Sequence, residues 1–365
     1  LLLTDALATL EKFCATLPVN WMLGAGGDQS DFVAAFLHLL RDPALQVPAL
    51  GCLDQLFCRG KLEFPQFMRI IQELPAAFQI ANQEFASHQE YKAAAARATS
   101  SGDDASDPLT AQLDFHRALS RTLSTVLSAH LSHLYTRKPS KQDLEKLHSY
   151  LELMVQMLQH PSGRILTEQV HTWSNMLRES QIGKTSLLRP FCKDVLVAFM
   201  NHMVRVRWED VEENRHPHAR ILELSFEDEE GYGSWMMDFR SRCSIMFRLF
   251  GHEEPQLASE ILNTRVQTLL ANHGEGAPIG FVDETNKQLT PKSDAVQQID
   301  SLQQPMDNIL SGIPSWALSP KPTKSSQRDQ NDQNRASIRT ATRAALSQLA
   351  TSLVNWKPTY LWLKF

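Results

Sequence analysis

Long uncharged apolar runs are missing from this chain. Its most apolar window, residues 187–203, is interrupted by Lys193, Asp194, Asn201 and His202. No segment therefore reaches the roughly 20 apolar residues that cross a bilayer as a helix, and no membrane insertion is expected. Cysteine is scarce and poorly spaced for cross-linking. The five residues, Cys14, Cys52, Cys58, Cys192 and Cys243, are odd in number and contain no Cys-x-x-Cys pair. A disulfide framework or thiolate zinc site needs tighter spacing, so reduced core thiols and a cytosolic or nuclear setting are expected. Leu1 to Leu3 has no basic region before it and no small-residue cleavage site after it, which argues against a signal peptide. The chain starts without Met and stops at the apolar run Leu361-Trp362-Leu363-Lys364-Phe365. Both ends read as cuts through a longer protein.

Catalytic signatures are equally thin. Ile182-Gly183-Lys184-Thr185 has the tail of a phosphate-binding loop, but the first glycine that would fold the backbone around phosphate is replaced by Arg178. His216-Pro217-His218 offers two imidazoles, yet Pro217 prevents a helical arrangement and no third metal ligand is indicated. His130 and His133 sit at helical spacing without a glutamate between them to serve as general base. Gly24-Ala25-Gly26-Gly27 lacks dinucleotide-loop spacing and reads as a linker. No Gly-x-Ser-x-Gly elbow occurs. The expectation is a non-enzyme with no catalytic residue, cofactor or metal site.

What the chain does have is helical periodicity. Hydrophobic residues make up 42% and charged residues 21%, the balance of a folded protein able to bury a core. In residues 140–160, Leu144, Leu147, Leu151, Met154 and Leu158 recur at intervals of three and four, one stripe of a 3.6-residue helix. Ser140 can cap it, with Asp143 favouring the positive end of the dipole. Pro161 should break it and open a second helix carrying Leu166, Val170, Trp173 and Leu177 on one face. Similar stripes are read at 3–17, 31–40, 45–58, 64–74 (ended by Pro75), 76–98, 109–135, 186–206, 234–250, 256–272, 294–310 and 334–354. About twelve helices and no run of alternating β-branched residues predict an all-α fold. Pairs recurring at roughly 40 residues match HEAT-like antiparallel repeats stacked into an α-solenoid (a superhelix); an up-and-down bundle with the same helix count stays open. The array is expected to run continuously over 1–365. It is interrupted by a polar loop at 99–107, an acidic loop at 208–233, and a Pro- and Gln/Asn-rich insertion at 319–333 expected to be disordered.

Charge is unevenly spread. Residues 207–230 hold nine acids against Arg207, Arg215 and Arg220, a net of −6, whereas the whole chain is −5. The preceding stretch, 184–207, carries Lys184, Arg189, Lys193, Arg205 and Arg207 against Asp194 alone, a net of +4. Adjacent patches of opposite sign can steer different partners, although a solvated helix face followed by a solvated loop explains the same counts.

Several stretches resemble the exportin-5 (Hasty) family of importin-β-type receptors. They are Leu50-Gly51-Cys52-Leu53 running into Arg59-Gly60-Lys61-Leu62-Glu63, and His160-Pro161-Ser162 followed by Trp173. The acidic run Phe226-Glu227-Asp228-Glu229-Glu230-Gly231-Tyr232-Gly233, followed by Phe239-Arg240 and Met246-Phe247-Arg248-Leu249, is the most specific, and Trp356-Lys357-Pro358 closes the series. Their order and spacing match the family across nearly the whole chain. The resemblance implies a HEAT-repeat nuclear export receptor that shuttles between nucleus and cytoplasm. Its partners would be Ran-GTP, RNA such as a microRNA precursor or protein cargo, and nuclear pore proteins, with GTP bound by Ran and not by this chain. Within that frame Glu227, Asp228, Glu229 and Glu230 are candidates for contact with Ran or with neighbouring repeats. Lys184, Arg189, Lys193, Arg205 and Arg207 are candidates for phosphate contact.

Overall fold

The computed structural model describes residues 2–16, 32–42, 44–58, 62–82, 108–130, 140–179, 187–272, 294–319 and 330–355. These contain fifteen helices and no strand. In chain order they are α1 (Leu2–Cys14), α2 (Phe32–Leu39), α3 (Gln46–Cys58), α4 (Phe64–Asn82), α5 (Pro108–His130), α6 (Lys141–Leu158), α7 (Gly163–Arg178) and α8 (Arg189–Asn201). The series continues with α9 (Trp208–Glu212), α10 (Ala219–Ser225), α11 (Glu229–Glu253), α12 (Pro255–Asn272), α13 (Asp294–Gly312), α14 (Ser315–Leu318) and α15 (Gln330–Asn355). The chain divides into two compact units, residues 1–191 with 216–227, and residues 192–215 with 228–365.

The first unit has two layers. Helices α1, α3, α5 and α7 pack side by side in one, and α2, α4 and α6 form the other. The direction of packing can be read from paired side chains. Between α3 and α5, Asp54 meets Arg121 and Cys58 meets Thr125, so a step of one turn along α3 is matched by an equal step along α5. Between α5 and α7, Ser120 donates to the Ile165 carbonyl at 2.8 Å and Ser128 lies 2.8 Å from Thr172, separations of 45 and 44 residues. A constant offset means parallel helices. Parallel neighbours within a layer require the intervening helix to return, so consecutive helices are antiparallel hairpins. That is the construction of a HEAT-like α-solenoid, and a simple up-and-down bundle lacks it. The offset is larger between α3 and α5 than between α5 and α7 because residues 83–107 intervene in the sequence.

The second unit repeats this grammar. Helix α11 lies against α13, and α12 against α15. Arg240 pairs with Asp300 at 2.6 Å and Ser244 is bonded to Gln304, each 60 residues apart, so α11 and α13 are also parallel.

Local structure follows the chemistry of the sequence in most places. Ser140 and Asp143 form a reciprocal capping box at α6, with Asp143 N–H on Ser140 Oγ at 3.2 Å and Ser140 N–H on Asp143 Oδ2 at 3.0 Å. The stripe behind it is buried at Leu147, Leu151, Met154 and Leu158, and α7 buries Leu166, Val170, Trp173 and Leu177. Each such side chain contributes roughly 1.5–3 kcal/mol when removed from water. The Tyr150 hydroxyl, fully buried, donates to the Leu123 carbonyl at 2.9 Å.

Several expectations are corrected. Pro75 does not end its helix: α4 continues through it to Asn82, and α13 likewise contains Pro305. A proline removes one backbone donor but does not by itself end a helix. After Pro161 the chain takes one more residue before α7 starts, with Ser162 as N-cap. Residues 208–233 are not a continuous loop but α9, α10 and the first turn of α11. Gln330 to Gln333, placed in the expected insertion, belong to the first turn of α15. The polar stretch 99–107 and most of 319–333 lie outside the described residues.

Candidate partner-binding surfaces

The basic stretch is not one helix face. Helix α8 stops at Asn201, so Arg189 and Lys193 stand exposed on it while Arg205 and Arg207 lie in the extended segment that follows. Lys184 lies outside the described residues. Arg207 is committed locally: its Nε and Nη2 reach Asp210 Oδ2 at 2.7 and 2.6 Å, and the two side chains are only 15% and 16% exposed. Asp210 also holds Arg215 at 3.1 Å. Arg215 N–H donates to the Asp210 carbonyl at 2.8 Å and Asn214 N–H to Val211 at 3.0 Å, with Asn214 at φ 52°. This is a Schellman ending of α9, in which an asparagine takes the left-handed position. Arg207 therefore fastens α9, while Arg205, 3.7 Å from Glu229 and about half exposed, keeps a looser partner.

The acidic run is a helix start. Asp228 is the N-cap of α11, its Oδ1 accepting from Gly231 N–H at 2.7 Å, and Glu229 and Glu230 fill the first turn. Carboxylates there face the positive end of a 25-residue helix. Burial and then the nearby Arg117 lower the Arg164 pKa, and Glu227 lies near enough to oppose them in part. All four acids remain exposed to solvent. Part of the charge that reads as a partner surface thus organises the chain locally, and the outward carboxylates remain able to meet a cation.

The tryptophans flanking the acidic run are structural. Trp208, Tyr232, Trp235, Phe239 and Phe199 form a ladder with successive ring centroids 5.8, 5.9, 5.1 and 6.2 Å apart. Tyr232 also accepts the Val206 N–H on its hydroxyl at 2.9 Å, tying the segment before α9 to α11.

Of the chemical candidates, His216 and His218 pack edge to face at 5.8 Å, and the His218 N–H donates to His216 Nδ1 at 3.2 Å within their turn. His130 is buried against Phe67. Among the described residues no group of three potential metal ligands converges, and no helix is long and apolar enough to cross a membrane.

A cationic feature that sequence reading passed over lies on α15. Arg335, Arg339 and Arg343 recur at intervals of four, and no acid occurs from Gln333 to the end of the chain. The spacing and the missing acids were the available signal.

Stacked helix hairpins with charged surface segments define a HEAT-like α-solenoid protein. The family model described as "Exportin-5: Exportin-5 family" matches residues 110–359, and the chain belongs to the Exportin-5 family, a family of nuclear transport receptors. No curated protein matches the chain significantly.

Proposed function

We propose that this chain is part of a karyopherin-type export receptor that binds Ran-GTP together with structured small RNA or protein cargo. The family match over residues 110–359 carries this reading. The repeat architecture supports it: in an array whose hairpins touch only their neighbours, curvature changes at small cost per interface. Closing around two ligands couples their affinities reciprocally, typically by about 1–3 kcal/mol. GTP hydrolysis would belong to Ran, so the receptor would act without an active site or cofactor of its own while shuttling between nucleus and cytoplasm through contacts with pore proteins. The exposed carboxylates Glu227 and Glu230 are the better candidates for a basic patch of Ran, because Asp228 is occupied as a cap and Glu229 faces Arg205. Arg189 and Lys193, exposed on α8, are the candidates for phosphate, whereas Arg207 is committed to Asp210 and Arg205 faces Glu229.

The test is a pull-down with Ran locked in its GTP form, with and without hairpin RNA, using the longest natural chain that contains this sequence. Retention of Ran that increases when RNA is added is expected. Capture of neither Ran nor RNA would leave a helical assembly scaffold as the better description.

A further inference from the structure

Helix α14 is a single turn lying against α15, and its Trp316 gathers two arginines. The Arg335 guanidinium lies over the indole, 5.8 Å from the ring centroid, and Arg339 Nε donates to the Trp316 carbonyl at 3.2 Å. Arg343 continues the row one turn further, and it is exposed, as is Arg335. At 1.5 Å rise per residue the three positions are spaced about 6 Å apart along the helix. The arginines flank a narrow buried stripe of Thr342, Ala345 and Leu349, so they rise at the margin of the α15 packing surface and not within it.

Two features separate this row from an ordinary solvated face. First, a surface helix usually answers its cations with carboxylates at i±3 and i±4, as Arg242 and Asp238 do on α11 at 2.8 Å. Here the sequence places one acid on the helix, Asp332 three residues before Arg335, and none at i±3 or i±4 of Arg339 or Arg343. Second, two of the guanidinium groups are pre-positioned. An arginine lying on an aromatic face keeps its in-plane N–H donors for another acceptor. Arg339 anchors through Nε, which leaves its terminal nitrogens for a second partner. Ordering of long side chains, a cost that binding normally bears, is thereby partly met before any ligand arrives.

We propose that Trp316, Arg335, Arg339 and Arg343 form a site for the phosphate backbone of RNA. Three guanidinium groups in a row at a regular pitch fit successive phosphates of a strand better than a single small anion. Binding there would be independent of sequence. The inference rests on the RNA-binding reading above and adds to it a location outside the charged segment 184–230.

The experiment measures affinity of the whole chain for a labelled RNA hairpin and a labelled single strand between 50 and 300 mM salt, for wild type and for an Arg335→Gln/Arg339→Gln/Arg343→Gln variant. Removing one arginine–phosphate pairing reduces the magnitude of the log–log salt slope by about 0.7 to 0.9. The triple variant should therefore drop by roughly two units of slope, with at least a tenfold weaker affinity at low salt. Trp316→Leu, which keeps all three charges but removes the aromatic support for Arg335, should weaken affinity several-fold with a smaller change in slope. Helical circular dichroism and melting temperature matching wild type exclude unfolding as the cause; if the triple variant melts lower, Arg343→Gln alone, on the outermost position, must still reduce the slope. RNA binding with an unchanged slope in the folded variants overturns this site while leaving the RNA reading intact. Failure of the wild-type chain to bind RNA removes both. Tight binding of polyglutamate that RNA does not displace reassigns the row to an acidic protein and overturns the proposal.

Discussion

Two pairs of parallel helices, α5 with α7 and α11 with α13, solve one packing problem by different means. The α5–α7 seam is threaded with polar groups. Ser120 bonds the Ile165 carbonyl, Gln169 Nε2 donates to Ser120 Oγ at 3.1 Å, and Trp173 Nε1 donates to Gln169 Oε1 at 3.0 Å. Thr172 adds bonds to Ser124 O and Ser128 Oγ. Such a seam permits one register, because sliding by a turn strands buried donors. The α11–α13 seam has its own polar bonds, Arg240 to Asp300 and Gln304 to Ser244, and in addition brings backbones together. A methyl added at Gly251 would overlap the Ile309 carbonyl, and one at Gly312 would overlap the Arg248 carbonyl. The two contacts are reciprocal, each glycine meeting the carbonyl three residues before the other, at a closeness suited to Cα–H···O contact. Directional side chains alone thread the first seam, whereas the second joins its Arg240–Asp300 and Ser244–Gln304 bonds to two side-chain-free contacts that admit only glycine. A repeat array can thus hold its pitch without a shared sequence consensus, and no such consensus is visible here.

The largest effect expected from breaking this contrast is at the glycines. Gly312→Leu forces α13 away from α11, and overpacking against a backbone carbonyl should cost about 3 kcal/mol or more. Urea unfolding followed by circular dichroism should show the loss. A variant within 0.5 kcal/mol of wild type, on the order of ordinary surface substitutions, would mean that the crossing is wider than described.

A second difference between the seams is their response to acid. Beside the polar seam, His116 is buried edge-on to His160 at 5.1 Å, and burial pushes its pKa down from 6.5 to about 4. His160 Nδ1 already accepts the Ser162 N–H at 3.0 Å. The unfolded chain binds a proton on His116 below pH 6.5 that the folded chain refuses until about pH 4. Stability is therefore fully present above 6.5, falls as pH drops through that window, and levels off below it, a total near 3 kcal/mol. His116→Leu should flatten the stability–pH curve by about one proton over the same window. Parallel curves for wild type and variant would show that His116 titrates normally and is not enclosed.

How much of this was legible in the sequence differs between the same regions. Apolar stripes of period 3.6 give the helices, and the Ser140 cap with its Asp143 partner reads directly because both act within one turn. The family resemblance is readable too, in the acidic run that precedes Tyr232. The pairing of helices was only partly legible, since it depends on bonds between side chains more than 40 residues apart in sequence that no local pattern encodes. The charged segment was misread for a definite reason. Nine acids within 207–230 look like loop composition, yet Asp210, Glu223, Asp228 and Glu229 each have a local task, in ion pairs or as a cap. Counting charge cannot distinguish an acid that caps a helix from one that awaits a partner. Arg207 shows the same ambiguity with opposite sign.

The smallest effect separates those two roles at Asp228. An N-cap carboxylate replaced by alanine loses a hydrogen bond worth about 1 kcal/mol, whereas asparagine retains the acceptor and loses only the charge. Asp228→Ala should lower stability by about that amount and Asp228→Asn by a few tenths, read from denaturant midpoints at constant slope. Glu230→Gln, which removes a first-turn charge without touching the cap, should be nearly silent in the same assay. Affinity for a cationic partner should respond to Glu230→Gln as strongly as to Asp228→Asn, because each removes one unit of exposed charge. If Asp228→Asn destabilises as much as Asp228→Ala, charge and not the hydrogen bond holds the start of α11. Charge-reversal variants across 227–230 would then confound folding with binding, and only Glu227 and Glu230 could report on a partner.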